Sequence, residues 1–472
     1  MRKVQLVLLF LGIGFSVKAQ VVSIDSLMKH VDFFTSDVLK GRMAGTQGYE
    51  MAADYCVAYF EQLGLKKINH SSILNYNQSF MVESNEISEC SVSVINPDGV
   101  KYSLKLGKDF VCRGFTGHGS GLVDLAFCGF GQNKEDYNDY RGVDIAGKAV
   151  ILFKSNPPFL APDTGWGDFS IRRQVAVAKE KGAVAVIFVS RPNLTKPQKP
   201  IGSTSHGEGV HQDDMPQFQI DIPWVDSLLL GTRYPLERLD RLTENLKMPF
   251  SLSAKSKIEY KVSAHYNPAA ETRNLLAYVE GSDPVLKNEF VVVSAHLDHV
   301  GMQQNLIFPG ANDNASGSSA VLELARLISN REIKPARSIL FVLFSAEEKG
   351  IEGSTFMAQN LPLPKEKIAA IYNMDCIAFG DSIQIGNGLS NPNLWDKMKE
   401  IDEKNASLMT NQTWAGGGSD LTPFHQIGIP GLYVVTKYSY THLHLPTDTP
   451  QTLNARTYKE AVNLLYQTLI TD

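Results

Sequence analysis

A chain of 472 residues, 43% of them hydrophobic and 20% charged, carries enough apolar material for two or three domains and a sizeable core. Its formal net charge of −5, without a long basic cluster, speaks against a nucleic-acid surface. No low-complexity or strongly acidic run marks a disordered tail.

Residues 1–19 read as a signal peptide. "MRK" supplies positive charge, and "VQLVLLFLGIGFSV" is an apolar core shorter than the ~20 residues a membrane span needs. "VKA" then predicts cleavage after Ala19. No cysteine at that point suggests a lipid anchor, and no later segment is apolar enough to span. The mature chain is expected to be exported, periplasmic or secreted, with no integral membrane segment. The five cysteines, Cys56, Cys90, Cys112, Cys128 and Cys376, include no CxxC pair, so a thiolate zinc site is not expected. Export permits a disulfide, but the odd count leaves at least one thiol without a partner in the chain.

Helical spacing runs over residues 24–65, where "YEMAADYCVAYFEQLGL" stops at Gly64 and "LKGRMAG" ahead of it reads as a loop. Residues 84–128 switch to short alternating runs that predict strands. "GKAVILF", "IRRQVAVAKEKG" and "AVAVIFVS" predict a strand–helix–strand unit with little chemistry in it. "RPNLTKPQKPIGSTSHGEGVHQDDMPQF" predicts a solvated loop. Its His206 and His211 have no framing carboxylate cluster and are not expected to bind metal. From residue 272 wholly apolar strands alternate with helices. The fold class expected is α/β, a mixed, largely parallel sheet with helices on both faces.

In such sheets ligands sit outside the carboxyl ends of the strands. Five successive positions of that kind carry only His, Asp or Glu. "FVVVS" runs into His296, Asp298 and His299; Asp313 precedes a helix; "SILFVLFSA" runs into Glu347 and Glu348; "IAAIYNM" into Asp375; and "IPGLYVV" leads to His442, His444 and Asp448. Singly, each has a bland explanation as a cap, a loop residue or a buried histidine. Together they would be costly unless cations offset them. Imidazole and carboxylate without thiolate suit zinc best, with manganese or cobalt as substitutes. Three carboxylates and two histidines exceed one catalytic zinc and fit two ions about 3.5–4 Å apart that share a carboxylate.

"HLDH", "GANDNASGSSAVLELAR", "FSAEEKGIEGS", "YNMDCIAFG", "SDLTPF" and "HLPTDT" resemble, in order and spacing, the motif series of the di-zinc exopeptidases of the bacterial leucyl aminopeptidase type. Glutamate carboxypeptidase-like enzymes and glutaminyl cyclases are relatives of that family. The resemblance covers residues 272–472 and, through "LKGRMAGTQGYEMAADYC", an N-terminal helix. "FCGFGQNKEDYNDYRGVDIAGKAVIL" is similar to the opening of the protease-associated domain often inserted in the family. The resemblance implies residues 20–90 and 263–472 as the peptidase domain, the latter with the metal site, and 91–262 as the β-rich α/β insertion.

It also implies Asp313 as a bridging ligand of two zinc ions, with Glu348 and His444 completing one site and His296 and Asp375 the other. Asp298 would orient the His296 ring from behind. Glu347 would be the general base acting on metal-activated water. The adjacent glutamates would diverge because side chains alternate along a strand. Ser419 and Asp420 in "AGGGSD" are either buttresses of the site or part of a flexible turn. His299 and Cys376 are expected to be structural, and Tyr440 is a weaker candidate for holding an oxyanion. The function expected is an aminopeptidase acting on peptides. The alternatives are a glutamate carboxypeptidase-like exopeptidase, disfavoured because "HLDHVGMQQNLIFPGANDN" offers no arginine, and a non-enzymatic peptide-binding module, which would be expected to have lost ligands or the base.

Overall fold

The computed structural model describes residues 21–157, 159 and 171–471. The expected signal peptide lies outside the described residues. Among the described residues no helix is long and apolar enough to cross a membrane.

Among the described residues, fifteen strands join in one mixed sheet. In chain order they are β1 (Asn77–Ile95), β2 (Lys101–Ser103), β3 (Phe110–Cys112), β4 (Gly119–Cys128) and β5 (Ala149–Phe153), then β6 (Ala185–Val189), β7 (Gln217–Ile220) and β8 (Ser251–Val279). These are followed by β9 (Phe290–His296), β10 (Met302–Gln303), β11 (Leu306–Ile307) and β12 (Ser338–Phe344), then β13 (Ile368–Met374), β14 (Ile383–Gly386) and β15 (Gly431–Thr436). The main path runs β14-β15-β13-β9-β12-β8-β4-β5-β6-β7-β3. The long β8 joins the two halves, because one end pairs with β12 and the other with β4.

Period-two alternation explains why both faces of the C-terminal half are covered. Val291, Val293, Ile339, Phe341 and Leu343 face one core, shared with helices Ile24–Phe34, Gln47–Gln62, Gly317–Ser329 and Ala455–Ile470. Val292, Leu340, Val342 and Phe344 face the other, with Met357 and Phe424. The segment between β3 and β8 repeats this logic with its own cores. Phe127, Ile151 and Ile187 pack on one side, and Val150, Leu152 and Val186 on the other with helix Ile171–Glu180. All five cysteines are buried and free.

The expected solvated loop is only partly so. Residues 202–205 are buried, because their small side chains pack into the junction between the two halves.

Candidate active site

Strands β12, β9, β13 and β15 are mutually parallel in sequence along the sheet, so their carboxyl ends share one edge. His296 ends β9, Asp375 follows β13, and Glu347 and Glu348 follow β12. His444 lies beyond β15, after the short turn Ser439–His442, and Asp313 precedes helix Gly317–Ser329.

Asp313 stands between two imidazoles. Its Oδ1 is 3.3 Å from His296 Nε2, and its Oδ2 is 3.2 Å from His444 Nε2. Asp375 Oδ1 is 3.4 Å from His296 Nε2, and Glu348 Oε2 is 2.9 Å from His444 Nε2. The five expected ligands therefore form two trios that share Asp313. Two donors on one tetrahedral ion at about 2.0–2.2 Å lie roughly 3.3–3.6 Å apart. The spacings around His296 and the Asp313–His444 spacing fall at or near that range, so the donor set fits two divalent cations. His299 Nδ1 also approaches Glu348 Oε1, at 2.7 Å, but lies 3.8 Å from Asp313 Oδ2. His299, Asp313 and Glu348 thus also form a group that could hold a metal ion, but His444 stands nearer to Asp313 than His299 does.

The electrostatics show how strongly the cluster favours positive charge. Burial alone would lower the two imidazoles. Glu347, Asp313 and Asp375 instead hold His296 well above its ordinary value, and Glu348 and Asp313 do the same for His444. Burial works against ionised Asp313, yet His296 and His444 hold it well below the usual carboxylate range.

Glu347 and Glu348 do not diverge by strand alternation. β12 ends at Phe344, and Ala346 takes a left-handed φ of 59°, so both glutamates lie in the turn after the strand and not in it. Glu347 Oε1 accepts a hydrogen bond from Ser419 Oγ at 2.8 Å, which makes Ser419 a contact of the expected base. Asp420 beside it is fully buried, and burial pushes its carboxyl up to about 7.

Asp298 differs from expectation. His296 Nδ1 faces the backbone carbonyl of Asp298 at 3.1 Å, while the Asp298 carboxylate stands 3.8 Å off. Being only two residues past His296, Asp298 presents its own carbonyl to the ring first. Its carboxylate instead accepts the backbone N–H groups of Glu347 at 3.1 Å and Glu348 at 3.3 Å.

Of three supporting residues, Tyr433 and Arg42 were not singled out by the sequence reading, and Asp448 was named there only among the strand-end residues. Tyr433 donates its hydroxyl to Asp375 Oδ2 at 2.9 Å, and Tyr440 touches Tyr433 at 3.3 Å. Asp448 accepts the N–H groups of Asn312 and Asp313 at 2.9 and 3.0 Å. Arg42, fully buried, donates to the carbonyls of Leu297, Phe34, Pro309, Gly310 and Asp313, tying together the loops that hold His296 and Asp313. A lone arginine in the glycine-bracketed "GRMAG" was the available signal for it. His206 lines the cleft beside the cluster but joins neither trio, and His211 stacks on Tyr266. Cys376 is buried behind Asp375, where burial pushes its thiol well up, consistent with a packing role.

Residues 274–469 match the family model for Peptidase family M28. Over 122 residues the chain is 42% identical to an aminopeptidase of Pseudomonas aeruginosa, an alignment covering 25% of this chain and 21% of that protein. It is 33% identical over 180 residues to leupeptin-inactivating enzyme 1 of Streptomyces exfoliatus, covering 36% of this chain and 37% of the other. The alignments thus span about a fifth to two-fifths of these curated relatives. The fold is similar to that of a solved zinc aminopeptidase from Bacillus subtilis, with a TM-score of 0.63, 18% identity, and coverage of 96% of this chain and 95% of that one. The residues 274–469 that match the M28 family model include both trios and both glutamates.

Proposed function

We propose that this chain is an exported, zinc-dependent aminopeptidase that removes N-terminal residues from peptides. The observation that carries the reading is Asp313 placed between His296 and His444, with Glu347 beside the two trios but in neither. His296, Asp313 and Asp375 would hold one ion, and His444, Asp313 and Glu348 the other. When bound, such ions polarise a carbonyl and make water more acidic.

The chain's own groups supply proton transfer and placement. Burial drives the Glu347 carboxyl well above the ordinary range; His296 opposes this, and Asp420, Asp375 and Glu348 add to it. A carboxylate with raised proton affinity is suited to accept a proton from attacking water and to pass it to the leaving amine. Ser419 fixes one of its oxygens. Peptide enters through a cleft of about 950 Å³ in which Phe115, Ile351, Leu443 and Tyr433 offer apolar surface.

One observation keeps the carboxypeptidase reading in view. The cleft is lined by Arg172, Arg173 and Lys349, cations that come from outside the loop considered in the sequence. Arg172 and Arg173 are paired with Glu83 and Glu208, whereas the buried Lys349 Nζ has no hydrogen-bond partner among the described residues. Digestion of a peptide library read by mass spectrometry separates the two. Loss of residues from free N-termini, with about two zinc ions per chain by elemental analysis, is expected. Trimming from C-termini would replace the aminopeptidase reading with the carboxypeptidase one, and no cleavage of any peptide by the zinc-loaded chain would leave a binding module. N-terminal sequencing of the exported chain should begin at Gln20.

A further inference from the structure

Two of the proposed ligands are held by a loop of the intervening segment. Thr204 Oγ1 donates to the carbonyl oxygen of Glu348 at 2.6 Å, and the Gly202 N–H donates to the carbonyl oxygen of His444 at 2.8 Å. Thr204 is 1% exposed, so water does not compete for its bond. The loop is anchored on both sides. Within its own segment, Ser203 Oγ accepts the Gly114 N–H at 3.0 Å, and Ser205 Oγ donates to the Gly114 carbonyl at 3.1 Å. Towards the peptidase half, a side chain at Gly202 would put a Cβ 2.8 Å from Val300, so only glycine permits this approach.

Both contacts fall on the same trio. His444 has a left-handed φ of 52°, uncommon for a residue with a side chain, and the Gly202 bond holds the peptide that this geometry presents. The Glu348 peptide is gripped at both ends, its N–H by Asp298 and its carbonyl by Thr204. The other trio is braced from within the peptidase half: Ser318 Oγ donates to the His296 carbonyl at 2.6 Å, and the Asp375 N–H donates to the Val434 carbonyl at 3.0 Å.

We infer that the loop at Gly202 and Thr204 is a positioning element for one of two metal ions. The affinity of the ion held by Glu348 and His444 depends on the intervening segment, and that of the ion held by His296 and Asp375 does not. The inference rests on the two-ion reading above and gives the segment a role in the metal site itself.

The test is zinc binding to the full chain, measured by equilibrium dialysis at graded free zinc with elemental analysis, for wild type, Thr204→Val and Thr204→Ser. Wild type is expected to bind two ions. Thr204→Val keeps the volume and removes the donor; it should retain one ion at wild-type affinity and bind the second about 10–100-fold more weakly. Thr204→Ser keeps the hydroxyl and should match wild type. If the valine variant does not fold, Thr204→Ala removes the same donor without a second branch methyl. Two unchanged affinities, or two equally weakened ones, in a folded donor-less variant would overturn the inference while leaving the functional reading intact. The same holds if Thr204→Ser behaves like Thr204→Val. A wild type that binds fewer than two ions overturns the two-ion reading and the inference with it.

Discussion

Glu347 and Glu348, neighbours in the chain, are driven in opposite directions. Burial lifts the Glu347 carboxyl well above the ordinary range, whereas His444 and His299 hold Glu348 at about 2 against the same burial. Two carboxyl groups whose surroundings push them apart have different tasks. Glu347→Gln is therefore expected to keep both metals and lower turnover by at least ~10²–10⁴-fold, the usual contribution of a positioned base. Glu348→Ala is expected to lose one ion. Elemental analysis of the two folded variants decides the matter, and equal metal content would remove the distinction.

Asp298 acts on both glutamates at once, through two backbone N–H groups that share its carboxylate. Asn at 298 keeps one acceptor and replaces the other with a donor facing an N–H. The chain should fold, but Glu347 and Glu348 should both lose definition, lowering activity and zinc affinity by about 10–100-fold. The change should appear in kcat more than in KM, because the cleft walls are untouched. Wild-type kcat and zinc affinity in Asp298→Asn would show that the turn after β12 holds itself.

The C-terminal half was legible because its strands are wholly apolar and each runs straight into its acid or imidazole. Val291 to His296 and Ile339 to Glu348 state both the core and the candidate site in one stretch. The positions of Arg42 and Thr204 were not legible. Arg42 lies 255 residues from Leu297, and Thr204 lies 144 from Glu348; each bond goes to a backbone carbonyl, which leaves no mark on the partner's side chain. Asp298 shows a different limit: its neighbourhood was readable, but whether its carbonyl or its carboxylate meets the ring depends on a local bend that residue types do not encode. The glutamates diverge for a similar reason, since the turn at Ala346 is not announced by glycine or proline at that position.

His30 sits in the helical core, 3% exposed, with Nδ1 2.8 Å from the Tyr55 hydroxyl. Burial lowers its pKa to about 4, with Glu323 opposing. An unfolded histidine titrates near 6.5, so between about pH 6.5 and 4 the unfolded chain binds the extra proton and the folded chain does not. The neutral ring's contribution is complete above pH 6.5 and is lost as pH falls through that window, by up to about 3 kcal/mol. His30→Gln cannot take up the proton and should show a shallower fall. Urea midpoints of both proteins from pH 7 to pH 4 measure it, and metal release on acidification is common to both. Parallel curves would mean that His30 does not set the acid sensitivity.

His442 and His444 lie two residues apart, and the structure turns them to different surroundings. His442 Nδ1 is 2.9 Å from Thr447 Oγ1, and its ring meets Phe379 edge-on at 5.4 Å. His444 Nε2 meets Asp313 at 3.2 Å and Glu348 at 2.9 Å. Leu445 donates its N–H back to the His442 carbonyl at 3.0 Å, which closes a tight turn around Leu443 and His444. Pro446 then fixes the chain's exit, since its own φ is locked and the residue before it is confined. That turn, with the left-handed φ at His444, keeps the two rings from exchanging places. His444→Ala is therefore expected to bind about one zinc ion per chain instead of two and to lose hydrolysis, while His442→Ala keeps both ions and most activity. The reverse pattern, read by zinc content and by hydrolysis of an aminoacyl-p-nitroanilide, would move the ligand to His442 and require the turn at Pro446 to open.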